Sequence, residues 1–170
     1  YAPNLETFVD EDYDLIISVG YMLADATRAA AEANPDTKFA IIDDSSIDLP
    51  NVTSLMFKAE QASYLVGYVA GLTTKTNNIG FIGGMELDTT KAKVECYEKA
   101  AQKINPDIKV SSAYAGSFSD TAKGKEIAAS MVTTYDVDVM FGDASAVDTG
   151  AREALAGQEG KYITSRHLRD

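Results

Sequence analysis

The chain is poor in the residues that build reactive or cross-linked sites. Cys96 is the only cysteine and His167 the only histidine among 170 residues, and tryptophan is absent. A single thiol forms no intramolecular disulfide, and one thiol with one imidazole cannot supply the usual ligand set of a zinc site. His167 stands close to the C-terminal end, so a histidine triad or metal cluster would have to rest on a frayed tail. Basic residues are also short, 15 against 26 acids for a net charge of −11, and they are scattered. Such a surface repels a nucleic-acid backbone or an anionic bilayer, which argues against nucleic acid as a partner. The longest apolar runs are only a few residues, too short to span a membrane. No Gly/Ser/Pro linker divides the chain. No signal peptide or lipid-attachment cysteine opens it, and Tyr1-Ala2-Pro3 reads as the middle of something rather than a natural start.

What is present is ordinary globular composition, 45% apolar and 24% charged, enough for one large or two small cores. DLIISV (14–19), closed by Gly20, predicts a strand buried on both faces. The helix former-rich stretch after it carries Leu23, Ala26, Ala30 and Ala33 on one stripe and stops at Asn34-Pro35. KFAIID and VTSLMF predict two further strands around the loop DDSSIDLPN. A helix over 60–72 places Ala62, Leu65, Val69 and Leu72 at helical spacing. Its Gly67 and Gly71, four apart, would let it pack closely on a neighbour. The remainder alternates strand and helix: NIGFIG, a helix to about Ile104, IKVSSAYA, SDTAKGKEIAASMVTTY, VDVMF, VDTGAREAL, KYITS. In the first of these helices Val94, Tyr97, Ala101 and Ile104 share a stripe, with Thr89 or Asp88 as N-cap. The rhythm predicts an α/β fold of parallel sheets flanked by helices.

In such a fold the loops at the strand C-termini carry the site. Those loops offer Gly20-Tyr21-Met22 with Asp25 one turn into the helix, Asp43-Asp44-Ser45-Ser46, Gly83-Gly84-Met85-Glu86, Gly116 to Ser119 around Phe118, and Gly142-Asp143-Ala144-Ser145. Aromatic and Met groups beside polar ones suit a small organic ligand with a flat apolar face and several hydroxyls. Each residue has a bland alternative. GFIGGM lacks both the GxGxxG spacing and a Walker lysine, so a tight turn explains it better than phosphate binding. Asp43 and Asp44 serve equally as an Asx turn and as hydroxyl acceptors. Asp25 is either a solvated helix acid or a cleft residue. Phe118 either staples the following helix or stacks on a ligand ring. Met85 and Tyr21 are core or wall, and Cys96, with no adjacent base, reads as a small buried hydrophobe. These residues call for no cofactor.

Three blocks in order, FKAEQASYLVGYVAG, NIGFIGGMEL and NPDIKVSSAYAGSFSDTAKGKEIA, resemble the basic membrane protein family of substrate-binding lipoproteins, which includes purine nucleoside receptors. The resemblance runs from about Asp12 to Lys161. It implies a type I periplasmic-binding-protein-like fold: two α/β lobes joined by crossovers that close on a ligand and deliver it to the permease of an ABC importer. It further implies a partial chain, with 1–57 the later part of the first lobe, 58–162 the second, and 163–170 a crossover or tail. On that template the loop Tyr21-Met22 with Asp25, the turn Met85-Glu86 and the GSF turn line the cleft, with Phe118 as the base-stacking aromatic. The resemblance places the protein outside the cytoplasm, at the cell surface or in the periplasm, on a lipid anchor outside this chain. The sequence departs from the family pattern after VDVMF, where it reads GDASAVDTG. It departs also in TTKAKVECYEKAA and in ITSRHLRD, where His167 stands near the position of a ribose-gripping Asp.

Two classes of function follow. In the first, a non-enzymatic receptor stacks a purine nucleoside on Phe118, bonds its hydroxyls with Asp25 and Asp44, and signals occupancy by closure. In the second, a receiver or hydrolase-like α/β domain uses Asp43 and Asp44 with Mg²⁺. A sensory domain on the receptor scaffold is a third reading. No nucleophile, base and orienting residue assemble from these loops, which speaks against an enzyme.

Overall fold

A computed structural model of the chain describes residues 1–165. They fall into two units, Tyr1–Lys58 and the residues from Ala59 onward. The first contains α1 (Ala2–Asp10), β1 (Ile16–Val19), a 3₁₀ turn (Tyr21–Leu23), α2 (Ala24–Ala33), β2 (Phe39–Ile42) and β3 (Val52–Leu55). Its strands are parallel in the order β1-β2-β3, with Ile16 beside Phe39 and Phe39 beside Val52. Helix α1 is absent from the sequence reading: its inward stripe is short, Leu5 buried with Val9 partly buried beside it, and Phe8 is exposed. Pro3 in the first turn, where no intrahelical N–H is needed, suits its start.

β1 corrects the expectation of a strand buried on both faces. Ile16 and Ser18 are covered, whereas Ile17 and Val19 are 54% and 62% exposed. The covered side meets Leu5, Ala31 and Phe39 in one core cluster, and the Ser18 and Thr27 hydroxyls share a hydrogen bond of 2.7 Å beneath α2. In α2 the most buried residues are Ala24, Thr27 and Ala31; Ala26 and Ala30 of the predicted stripe pack against the core partly buried, and Ala33 is exposed. β2 and β3 run parallel with only a loop between them. Ile47 from that loop, 5% exposed, packs on Ile41 and Ala24 and takes the covering role of a crossover helix.

The second unit contains α3 (Ala59–Thr73), β4 (Asn78–Gly83), α4 (Asp88–Ile104), β5 (Lys109–Tyr114), α5 (Thr121–Tyr135), β6 (Val139–Asp143), α6 (Ala146–Leu155) and β7 (Tyr162–Ser165). Its sheet is wholly parallel in the order β5-β4-β6-β7. Residues 163–165, read as the start of a crossover or tail, continue β7 alongside Met140–Gly142. Alternation along the central strands builds two cores. Ile82 and Met140 face Ile127, Met131 and Val147 of α5 and α6. Ile79, Phe81 and Phe141 face Ala70, Tyr97 and Ala101 of α3 and α4.

The face of α3 turned inward is its small one. Ser63, Gly67, Ala70 and Gly71 are buried, and Leu65, Val69 and Leu72 are 60–69% exposed. Gly67 lies against the Tyr97 backbone and Gly71 against Ala101, so a side chain at Gly67 would overlap a carbonyl of α4. The close packing expected from the glycine spacing therefore forms. It overrides the larger apolar stripe, which needs more room than the backbone contact leaves. Among the described residues no helix is long and apolar enough to cross a membrane.

Tyr97 carries an anomaly. Its ring is fully buried against Phe141, at 5.6 Å between centroids, and its hydroxyl finds no protein partner among the described residues. Burial, and after it the charge of Asp138, pushes the phenol well above the usual tyrosine range. Because the folded-state value is raised, the neutral form's stability is present below the unfolded value of about 10 and is lost as pH rises above it. Tyr97→Phe is expected to stabilise the chain by about 1–2 kcal/mol at neutral pH, since it removes an unsatisfied buried hydroxyl. In chemical denaturation the advantage should grow by about 1.4 kcal/mol per pH unit above 10. A variant less stable than the parent at pH 7 would show that the hydroxyl is satisfied.

Candidate functional site

In the first unit the predicted residues gather at the C-terminal edge of the sheet. Gly20, with φ 91°, ends β1, and its N–H donates to the Ile42 carbonyl at 2.8 Å, which aligns the loops after β1 and β2. The 3₁₀ turn then presents Tyr21, partly buried, and Met22, 55% exposed; Asp25 follows, exposed, in the first turn of α2. Asp44 Oδ1 accepts from the Ser46 N–H at 2.8 Å and from its hydroxyl at 2.7 Å, which is the Asx turn of the two readings. Asp43 is exposed with φ 61°. Arg28 of α2 donates to the Ser46 carbonyl at 2.9 Å and ties this loop to the helix. Among the described residues no group of three His, Cys, Asp or Glu could hold a metal ion.

In the second unit Gly83, Tyr114 and Asp143 stand side by side in the sheet register and define the corresponding edge. Beyond them the ladder runs on, with Gly116 donating to the Gly84 carbonyl at 2.8 Å. Met85 is partly buried. Its carbonyl accepts from the Thr90 hydroxyl at 2.9 Å, and Thr90 Oγ1 accepts from the Leu87 N–H at 2.9 Å. The start of α4 is thus organised by Thr90 with Leu87 as N-cap, not by Thr89 or Asp88, because Thr90 alone faces inward. Glu86 is exposed and makes a solvent-side ion pair with Lys91 at 3.2 Å, a contact worth little.

Phe118 is partly buried, and its ring lies so close to Gly84 that a Cβ at that glycine would fall inside it. Its carbonyl accepts from the Ala146 N–H at 3.0 Å. The stapling alternative does not apply: the N-cap of α5 is Asp120, the residue before it is Ser119, and the facing position in the helix is Gly124, which has no side chain. Cys96, expected to be buried, is only partly so, on α4 beside Tyr64 and Leu65. Asp143, read as a ligand contact, is 7% exposed, and its Oδ2 accepts from Lys93 Nζ at 2.6 Å. His167 lies outside the described residues.

Two residues of this edge, and the backbone conformation of a third, escaped the sequence reading. Lys93 is one, although its position four before Tyr97 and eight before Ala101 puts a lysine on the buried stripe. Asp148, 1% exposed, accepts from the Ala144 N–H at 3.1 and 3.2 Å with its two oxygens; an acid three residues after the N-cap Ser145 was the available signal. Ser145 itself holds φ 55° and ψ −116°, a conformation costly for any side chain. Nothing local in the sequence announces it.

Comparison with known proteins gives a consistent answer. The family model described as ABC transporter substrate-binding protein PnrA-like matches residues 1–165. The chain is 45% identical over 150 residues to the ABC transporter nucleoside-binding protein BmpA of Lactococcus lactis subsp. cremoris, covering 88% of this chain and 42% of that protein. It is 38% identical over 167 residues to basic membrane protein A of Borreliella burgdorferi, covering 96% and 49%. Among solved structures it superposes on an ABC transporter system solute-binding protein from Aeropyrum pernix K1 with a TM-score of 0.82 at 25% identity, covering 96% of this chain and 48% of that one. The chain thus spans about half the length of the curated relatives it matches. With its parallel α/β sheets, and with this match along its described length, the chain belongs to the PnrA-like family of ABC transporter substrate-binding proteins.

Proposed function

We propose that this chain is part of an extracytoplasmic receptor that binds a purine nucleoside and passes it to the permease of an ABC importer, acting as a receptor and not as an enzyme. One observation carries the reading: Phe118 is seated on the Gly84 backbone at the C-terminal edge of its sheet, part of it open, as a platform for a flat ring. A 45%-identical relative named as nucleoside-binding supports the ligand class. Exposed acids at the strand ends of each unit by itself, Asp25 and Asp43 in the first and Glu86 in the second, suit the hydroxyls of a neutral ligand and oppose a phosphate.

Adenosine, guanosine or inosine is expected to raise the melting temperature of the full chain, and their phosphates to leave it unmoved. At a hundredfold excess over the dissociation constant the stabilisation is about 2.7 kcal/mol. Phe118→Ala should reduce the shift with little loss of intrinsic stability, since stacking contributes about 0.5–1.5 kcal/mol. A buried core Phe would instead cost roughly 3–5 kcal/mol of folding. A melt moved by a sugar or an amino acid and by no nucleoside would retain the receptor class and reject the purine.

A further inference from the structure

Lys93 and Asp143 form an ion pair of 2.6 Å whose side chains are 9% and 4% exposed. Neither is open to a ligand. A buried pair of this kind is weak evidence for stability, because desolvating both charges offsets their attraction and a well-packed apolar pair commonly does as well. Its place in the fold is more informative. Lys93 projects from the inward face of α4, and Asp143 is the last residue of β6, beside Gly83. The pair therefore fastens α4 to the point where β6 turns into α6. That turn holds a costly conformation at Ser145, and such conformations persist only where the surroundings over-determine them. The next residue, Ala146, gives its N–H to the Phe118 carbonyl at 3.0 Å. Asp148 secures the other flank through the Ala144 N–H.

We propose that the Lys93–Asp143 pair is a positioning device for the ligand platform: it holds the turn 143–146 in its strained form, so that Ala146 fixes Phe118 against Gly84. The inference rests on Phe118 being the platform, as read above. A short charge-assisted hydrogen bond is directional and resists displacement of β6 against α4, whereas an apolar contact of the same volume slides.

The test compares the full chain with the double variant Lys93→Met, Asp143→Leu, and with Lys93→Arg and Asp143→Glu, by amide exchange without ligand and by inosine calorimetry. In the double variant, exchange at the Ala146 amide is expected to rise at least tenfold while the β4 amides hold, and inosine affinity to fall at least tenfold. Lys93→Arg should stay within threefold on both. Asp143→Glu, which keeps the charge but displaces it, should raise Ala146 exchange at least threefold, and it decides the matter if the double variant does not fold. Unchanged Ala146 exchange overturns the proposal, as does a loosened turn that binds inosine as tightly as the parent. A parent chain that binds no purine nucleoside refutes the purine assignment instead, and the exchange comparison then judges the positioning alone.

Discussion

Gly150→Ala is expected to destabilise the second unit by about 3 kcal/mol, making it among the most damaging single-methyl changes available. Helices α5 and α6 meet backbone to backbone: a Cβ at Gly150 would overlap the Thr121 carbonyl, and one at Gly124 would overlap that of Val147. A clash with backbone is not relieved by a rotamer change, so α6 has to move off α5 and open the core around Ile127, Met131 and Val147. Overpacking typically costs about 1–3 kcal/mol and sometimes more, and a contact with no side chain to yield belongs at the upper end or beyond. Alanine's better helix propensity returns only about 1 kcal/mol. The net loss corresponds to a fall of about 6–12 °C in melting temperature for a chain of this size. The double variant Gly124→Ala, Gly150→Ala should lose less than the sum, because the first methyl already separates the helices. A denaturation midpoint unchanged by Gly150→Ala would mean that the helices sit further apart than described.

Asp138→Ala is expected to cost roughly 3–5 kcal/mol, through lost hydrogen bonds and not through volume. Asp138, 4% exposed, accepts from the Thr74 hydroxyl at 2.6 Å, from the Lys75 N–H at 2.6 Å and from the Thr76 N–H at 3.1 Å. It thereby closes the end of α3 and the entry to β4 onto the start of β6. Hydrogen bonds to a charged group contribute about 1.5–3 kcal/mol each, and the donors left behind are only partly reachable by water. Asp138→Asn keeps the acceptor oxygen and should recover part of the loss, whereas Asp138→Leu, of similar bulk, should not. Equal denaturation midpoints for the Asn and Leu variants would assign the effect to packing and dismiss the network.

The local patterns were legible. Short apolar runs closed by glycine or a polar turn became strands, and the helices expected to stop at Asn34-Pro35 and at about Ile104 end within a residue of those points. Gly67 and Gly71, spaced on one face, marked a helix contact that exists. The three motif blocks identified the family, and the strand ends carried the predicted site residues to the sheet edges. Such features arise from neighbours two to four residues apart, which a chain displays before it folds. The remainder depended on residues far apart in sequence. Lys93 meets Asp143 across 50 positions and Thr74 meets Asp138 across 64. Phe118 rests on Gly84 because β5 lies beside β4 in the sheet. Strand order decides these meetings, and no local period encodes it. The same holds for the faces of α3 and β1: sequence supplied two apolar sides for each, and the approach of a neighbouring backbone in one case, and cover on a single side in the other, chose which was buried.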